Sequence, residues 1–366
     1  MRDLPEENDL RLPYLPLTAV LAALVLLAAC AGAPASPAPT NVQPSPAAGQ
    51  PSPTAAATSP ATPAPATVEP VSPAPAEPLN VVTSTTVLAD LVRQVGGERV
   101  SVQSIIPAGR DPHTFEPAPS DAISLAGANL LVINGLGLDD GLEDLASETA
   151  PDVPLVVLAE GLEGVEYLEG DDDHDDDDDD DDDDEDHDDD DHGHAINPHL
   201  WLDVANTRLY VERLTATLSA NDEAGRQTYE ANAAAYDSKL AELDEWIGQE
   251  IGALSAENRR VISFHDAFPY FAHAYGIEIV GVVVESPGQE PSAAEIAQLI
   301  TAIREANARA VLSEVQFGDR LAQVIADETS ITVIHELYTD SLGDPPLDTY
   351  EAAMRWNVER ILEGLR

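Results

Sequence analysis

The sequence predicts an α/β fold with two similar halves. Short apolar runs typical of buried strands alternate with longer segments whose apolar residues recur at helical spacing, which indicates parallel sheets covered by helices. This alternation occurs twice, at 79–158 and again at 261–365. Between the two halves, 223–254 is a helical segment of unusual length. At ~1.5 Å per residue it approaches the diameter of a domain, so it is long enough to bridge two lobes.

The first half contains four predicted strands. Continuous apolar runs predict strands at 80–83, 130–133 and 155–158, the first of them buried, and alternating polar and apolar residues predict another at 100–106. Helical spacing predicts helices at 87–97 and 119–128. The loop 107–117 is rich in proline and other turn residues. It carries His113 directly after the second strand.

The second half repeats the pattern after two helices, which are predicted at 206–218 and 223–254. Strands are predicted at 261–264, 277–284, 310–314 and 331–337, and helices at 293–307, 320–328 and 347–365. The first of these strands ends at His265, and the last is followed closely by Asp340. Both residues therefore fall at the carboxyl ends of predicted strands.

The chain of 366 residues carries a formal net charge of -51. Much of this charge lies in a run of aspartates at 171–191, and the rest of the chain is acidic too. Nucleic acid is not expected as a partner, because its phosphates require Lys and Arg. Cations are the natural partners. We expect 171–194 to be a solvated, disordered loop whose histidines hold metal only weakly.

The amino-terminal segment predicts a lipoprotein signal. An apolar run at 15–29 is too short for a typical membrane span and closes with small residues before Cys30, the one cysteine of the chain. We expect cleavage before Cys30, lipid on its thiol, and a mature protein outside the cytoplasm, in the periplasm or at the cell surface. Several acidic residues near the start depart from the usual basic pattern, so an uncleaved apolar anchor is the alternative.

These observations predict five parts of the chain. They are a signal peptide at 1–29, a disordered Pro/Ala/Ser/Thr-rich linker at 30–78, an N-terminal lobe at 79–222 that includes the acidic loop, a linking helix at 223–254 and a C-terminal lobe at 255–366. The linker is interpreted as a spacer between the membrane and the folded lobes.

Three histidines and one aspartate fall at equivalent places in the two halves. The set follows the second, fourth, fifth and last strands and consists of His113, His199, His265 and Asp340. Carboxyl ends of parallel strands form the ligand-binding edge of open α/β sheets, so these groups would meet in a cleft between the lobes. Nitrogen and carboxylate donors in a set of four suit a tetrahedral divalent cation. Spacing alone is a weak signal, and each residue also has a purely structural interpretation.

Four local motifs strengthen the metal interpretation. They are Asp-Pro-His-Thr-Phe-Glu-Pro at 111–117, Asn-Pro-His-Leu-Trp-Leu-Asp at 197–203, Ser-Phe-His-Asp-Ala-Phe-Pro-Tyr-Phe at 263–271 and Tyr-Thr-Asp-Ser-Leu at 338–342. Together, over essentially all of 79–366, they resemble the metal-receptor family of bacterial zinc and manganese ABC importers. The resemblance implies two α/β lobes joined by a rigid helix, with a metal bound between them. It also implies that His113, His199, His265 and Asp340 are the ligands.

The resemblance also implies a function and partners. The chain would be a monomeric receptor that captures Zn²⁺ and passes it to an ABC permease in the membrane, with no chemistry on the metal. Mn²⁺ is the alternative cargo, because Asp340 is a hard ligand. The loop at 171–194 is mostly aspartate, whereas many zinc receptors of the family have a histidine-rich loop there. Its role, including an added one as a weak metal buffer or surface adhesin, therefore stays open.

A metal-dependent hydrolase with an open zinc site is the rival class of protein. It would need a coordination position that holds water and a general base such as Glu116 or Glu314. We expect these two glutamates to support or pack against the site instead of binding the metal. His273 and His335 are predicted to be structural, and Trp201 to belong to the core.

Overall fold

The computed structural model describes residues 77–170, 195–284, 288 and 291–366. The predicted signal peptide, the lipidation site Cys30, nearly all of the linker and the acidic loop 171–194 lie outside these residues. Within the described ranges, no helix has the length and apolar character needed to cross a membrane.

The N-terminal lobe is a parallel sheet of four strands covered by helices. The strands are β1 (Leu79–Thr83), β2 (Val100–Ser104), β3 (Leu130–Ile133) and β4 (Leu155–Val157), in the order β2-β1-β3-β4. The helices are α1 (Thr86–Gly96), α2 (Pro119–Ala126) and α3 (Asp140–Thr149). All four residues of β3 are buried, as its continuous apolar run predicts for a strand covered on both faces.

Helix α1 has clear start and stop signals. The Thr85 side chain accepts a hydrogen bond from the backbone N–H of Leu88 and so satisfies one of the free donors of the first turn. The helix ends at Gly97, whose φ of 55° suits a residue without a side chain. Eight of its eleven residues are buried, so the helix is covered on most sides, and it connects β1 to β2 by way of a short helical turn at Gly97–Arg99.

Two long helices lie between the sheets. They are α4 (Val204–Asn221) and α5 (Arg226–Gly252), which has 27 residues. At ~1.5 Å per residue, α5 is about 40 Å long. It packs against α1 of the N-terminal lobe and against α6 (Pro269–Tyr275) and α9 (Tyr350–Leu365) beyond it. Its buried face carries the residues Tyr229, Tyr236, Leu240, Leu243, Ile247 and Ile251.

The C-terminal lobe repeats the strand order of the first. Its strands are β5 (Arg260–His265), β6 (Glu278–Val284), β7 (Ala310–Glu314) and β8 (Thr332–Leu337), all parallel and in the order β6-β5-β7-β8. Besides α6 and α9, this lobe contains α7 (Ala293–Ala306) and α8 (Arg320–Thr329). The carboxyl ends of β5 and β8 therefore lie at one edge of this sheet.

One hydrophobic cluster extends across both lobes. It includes Val81 of β1, Tyr229 of α5, Val261 of β5 and Tyr350 of α9, together with Trp201. Two smaller clusters fill the other faces of the two sheets. Because the largest cluster joins both sheets through α4 and α5, the lobes are connected by packed side chains as well as by the chain itself.

Candidate metal centre

The four residues predicted as ligands lie together. His113, His199, His265 and Asp340 each offer one donor atom, and these atoms all lie within 4.8 Å of one another. The Nε2 atoms of His113 and His199 are 3.2 Å apart. Asp340 Oδ1 lies 3.3 Å from Nε2 of His199, and Oδ2 lies 3.4 Å from Nε2 of His265. Donors about 2.0–2.1 Å from a tetrahedral zinc ion are roughly 3.3 Å apart, so the distances from Nε2 of His199 to Nε2 of His113 and to Oδ1 of Asp340 match such an ion.

The fold brings these donors to one place from two sheets. His113 lies in the loop that follows β2, and His265 is the last residue of β5. Asp340 follows β8, and His199 precedes the single helical turn Leu200–Leu202 that leads into α4. His199, His265 and Asp340 are 2%, 1% and 2% exposed, whereas His113 is partly exposed. His113 therefore lies on the solvent side of the site.

The loop with His113 is held by Asp111. The Oδ1 atom of Asp111 accepts from the backbone N–H of His113 at 3.0 Å, and Oδ2 accepts from the Thr114 hydroxyl at 2.8 Å. Such a turn is typical of an aspartate that bonds the backbone two residues later. It fixes the backbone from which the His113 ring reaches the other donors.

Asn197 orients the ring of His199. Its amide oxygen accepts from the His199 backbone N–H at 3.0 Å and lies 3.0 Å from Nδ1 of the same residue. An amide oxygen only accepts, so Nδ1 carries the proton and Nε2 presents its lone pair to the other donors. The Asn197 amide nitrogen donates to the carbonyl of Asp266 at 2.6 Å. Asn197 therefore connects the His199 loop to the end of β5.

Glu314 and Phe317 position the ring of His265. Glu314, the last residue of β7, places Oε1 3.0 Å from Nδ1 of His265. The Phe317 ring packs beside the imidazole with ring centroids 5.0 Å apart. A carboxylate on the far nitrogen of a ligating histidine fixes the orientation of the ring and raises its basicity. The Nε2 atom of His265 is thereby directed toward Asp340.

Two buried atoms at the centre of this group lack hydrogen bonds in the described chain. They are Nε2 of His265 and Oδ1 of Asp340. Buried polar atoms are costly when they have no partner, so native proteins nearly always satisfy them. A bound cation would accept both donors, and the chemistry of the set therefore fits a metal ion.

The electrostatics of the site favour a cation. Burial lowers the pKa of His113 to about 3, and the neighbouring His199 adds to this effect, so His113 is neutral at neutral pH. Burial alone would raise the pKa of Asp340, but His265 and His199 hold that pKa well below its usual value. Burial would likewise lower the pKa of His265, but the carboxylates of Glu314 and Asp340 raise it well above 6.5. In the metal-free site Asp340 is therefore ionised and His265 carries a proton. A metal must displace that proton to bind Nε2 of His265.

Hydrogen bonds beside the site join the two lobes. The indole N–H of Trp201 donates to the carbonyl of Thr339 at 2.8 Å, and both groups are buried. The backbone N–H of Gly109 donates to the Ser341 hydroxyl at 2.9 Å. These bonds link the loops of His113 and His199 to the segment that carries Asp340.

The other residues named from the sequence lie apart from the donors or support them. Glu116 is exposed on the loop before α2. His273 is largely exposed on α6, with Glu166 4.0 Å away. His335 lies on β8, 2.9 Å from Asp319. Glu314 contacts a donor, as described above. Sequence reasoning missed Gln316, which donates a hydrogen bond to Asp340. Its place two residues after a predicted strand is the one signal that could have indicated it.

A comparison with known protein families identifies the family of this chain. The model of the family "Zinc-uptake complex component A periplasmic" matches residues 81–364. The chain belongs to this family. The resemblance to metal receptors of ABC importers, predicted from four motifs, is thereby confirmed, and the chain is a metal-binding receptor of an ABC importer.

The family model is named for zinc, whereas two similar relatives are named for manganese. The chain is 31% identical over 291 residues to the manganese-binding lipoprotein MntA of Halalkalibacterium halodurans, covering 79% of this chain and 89% of that protein. It is 28% identical over 302 residues to the manganese ABC transporter substrate-binding lipoprotein PsaA of Streptococcus pneumoniae, covering 80% and 91%. The family therefore does not by itself identify the metal of this receptor.

Solved structures confirm the predicted fold. The periplasmic zinc-binding protein TroA of Treponema pallidum matches with a TM-score of 0.68 at 23% identity, covering 79% of this chain and 99% of that chain. This match supports the architecture of the chain alone, which is two α/β lobes with parallel sheets.

Proposed function

We propose that this receptor captures Zn²⁺ outside the cytoplasm and delivers it to the permease of an ABC importer, with His113, His199, His265 and Asp340 as the ligands. The observation that carries the proposal is the spacing of the donors. Nε2 of His199 lies 3.2 Å from Nε2 of His113 and 3.3 Å from Oδ1 of Asp340, and roughly 3.3 Å is the separation expected around a four-coordinate zinc ion.

The donor types favour zinc over manganese. Three imidazoles and one carboxylate are borderline in softness, and zinc binds such a set readily in four-coordination. Manganese prefers more oxygen donors and lies lowest in the usual affinity order of divalent metals. His265 matters most, because a carboxylate at that position would add oxygen and negative charge. Manganese remains the second candidate because the relatives MntA and PsaA carry its name.

The arrangement supports capture and release in preference to hydrolysis. A zinc hydrolase keeps one coordination position for water and places a general base beside it. Here four protein donors already surround one point. Glu314, the carboxylate beside the donors, faces Nδ1 of His265, on the far side of the ring from the donor Nε2. It therefore supports a ligand and is poorly placed to activate a water molecule.

We also propose that lipid on Cys30 anchors the receptor to the membrane. The apolar run at 15–29 with small residues before this cysteine supports the proposal, and the relatives MntA and PsaA are named lipoproteins. The linker at 30–78 would then allow the lobes, acting as a monomer, to reach the permease.

A competition titration tests the choice of metal. The purified protein is titrated with Zn²⁺ and Mn²⁺ in separate series against a chromophoric chelator, and the two dissociation constants are compared. We expect one tight site at which Zn²⁺ binds more tightly than Mn²⁺. Tighter binding of Mn²⁺ at that site would overturn the zinc assignment and leave a manganese receptor of the same family.

A further inference from the structure

The side chain of Gln316 contacts the carboxylate of Asp340 from outside the donor set. Its amide nitrogen donates to Oδ2 of Asp340 at 2.8 Å and to the hydroxyl of Thr339 at 3.0 Å. Carboxylate oxygens accept hydrogen bonds, so the atom of the amide that faces Oδ2 is the nitrogen. The bond is therefore defined by chemistry as well as by distance.

The position of Gln316 follows from the turn after β7. The backbone N–H of Phe317 donates to the carbonyl of Glu314 at 3.2 Å, and the N–H of Val315 donates to the carbonyl of Leu337 on β8 at 3.0 Å. These bonds place the turn beside the segment that carries Asp340. Gln316 is therefore held by the sheet itself, and its reach to the carboxylate does not depend on a metal.

The two oxygens of Asp340 have different surroundings as a result. Oδ2 accepts from Gln316 and lies 3.4 Å from Nε2 of His265, whereas Oδ1 is buried and has no hydrogen bond in the described chain. Oδ1 lies 3.3 Å from Nε2 of His199, at the separation expected for two donors of one ion. The hydrogen bond competes with a metal for the lone pairs of Oδ2 and fixes the plane of the carboxylate. Asp340 is thus prepared to offer one oxygen.

We infer that Gln316 is a selectivity residue that restricts Asp340 to one oxygen and so limits the ion to four donors. This inference rests on the proposed function, in which Asp340 is a ligand. A tetrahedral ion such as zinc accepts one oxygen from each carboxylate, whereas an ion that prefers a larger oxygen shell gains from a second. Gln316 disfavours manganese by occupying the oxygen that manganese would use.

The test replaces Gln316 with leucine, which fills much of the space and has no N–H groups. We expect the Mn²⁺ dissociation constant, divided by the Zn²⁺ dissociation constant, to drop about tenfold or more. This is the change typical of losing one hydrogen bond to a charged group. The Co²⁺ form supplies a second readout. Its visible absorption is strong in a tetrahedral site and should weaken when Asp340 becomes free to offer both oxygens.

The matched control is Gln323→Leu. Gln323 is exposed on α8, and its amide nitrogen donates to Oδ1 of Asp327 at 2.9 Å, so the same type of bond is removed far from the donors. Neither the ratio of dissociation constants nor the Co²⁺ spectrum should change. If Gln316→Leu does not fold, Gln316→Asn keeps the amide but shortens its reach, and the same shift is expected.

The outcomes separate this inference from the proposed function. A folded Gln316 variant with an unchanged ratio and spectrum would overturn the role of Gln316, and so would an equal weakening of both metals, which indicates a merely structural residue. A wild-type protein that prefers Mn²⁺ would instead overturn the zinc assignment. The inference would survive that result if loss of the Gln316 amide still moved the ratio further toward Mn²⁺.

Discussion

Replacing one proposed ligand should remove most of the zinc-induced stabilisation. A metal that binds only the folded state, present at ~1,000 times its dissociation constant, adds roughly 4 kcal/mol to the free energy of unfolding. For a protein of this size, each kcal/mol moves the melting temperature by roughly 2–4 °C, so zinc should raise it by about 8–16 °C. His199→Ala removes one of four donors from the centre of the buried group.

The expected loss of zinc-induced stabilisation can be calculated in the same way. If the dissociation constant rises about 100-fold at unchanged zinc, the stabilisation falls to roughly 1.4 kcal/mol, which corresponds to about 3–6 °C. The same reduction is expected for each of the four substitutions His113→Ala, His199→Ala, His265→Ala and Asp340→Ala. The controls are His273→Ala and His335→Ala, because both of these residues lie apart from the donor group.

Melting curves with and without zinc provide the measurement. The quantity compared is the difference between the two melting temperatures of each variant, because removal of a buried side chain also destabilises the metal-free protein. An unchanged zinc effect in any two of the four ligand variants would refute the assignment. A lost zinc effect in either control variant would place a ligand outside the predicted set.

Three further predictions concern pH, the contact between the lobes, and the anchor. The pKa of His265 is raised, so its proton stabilises the metal-free protein fully below pH 6.5, and this contribution is lost as the pH rises through the pKa of the folded state. Zinc must displace that proton, so titrations at several pH values should show tighter zinc binding at higher pH. Equal zinc affinity at all pH values would contradict this. Trp201→Phe leaves the buried carbonyl of Thr339 without its donor, which should lower the free energy of unfolding by about 1–3 kcal/mol in denaturant melts while zinc still stabilises the protein. Cys30→Ser should move the protein out of the membrane fraction or leave it unprocessed; mature, membrane-bound protein of unchanged lipid content would exclude this anchor.

The sequence predicted the strands best where apolar residues are continuous. The segment 130–133 was predicted as a strand, and β3 is Leu130–Ile133. The boundaries of the long helix were less accurate. It was expected to begin at 223, but α5 begins at Arg226 after a separate helical turn. The cause is tertiary: the Asp222 carboxylate accepts from Arg99, 123 residues away, and from Tyr229, and these bonds fix the turn before the helix.

The candidate ligands could be predicted from the sequence, whereas the residues that hold them could not. Histidines at the ends of predicted strands carry a recognisable chemistry, and local motifs surround each one. Gln316 has only its place after a predicted strand as a signal, because its role arises when β7 pairs with β8 and brings it beside Asp340, 24 residues later. Glu314 was expected to support the site, but its partner, Nδ1 of His265, follows from the three-dimensional pairing of β5 with β7.

Under the proposed function, capture and release make opposite demands on the same geometry. The donors already lie within 4.8 Å of one another, and the core shared by both lobes and the bond from Trp201 to Thr339 hold them there. Capture therefore needs little ordering of the protein, which favours tight binding. Each lobe supplies two donors, so separating the lobes would divide the set into two pairs, neither sufficient for a tetrahedral ion. Because the fold alone favours the assembled set, the free energy for that separation must come from docking on the permease, which has to bind the separated state more tightly.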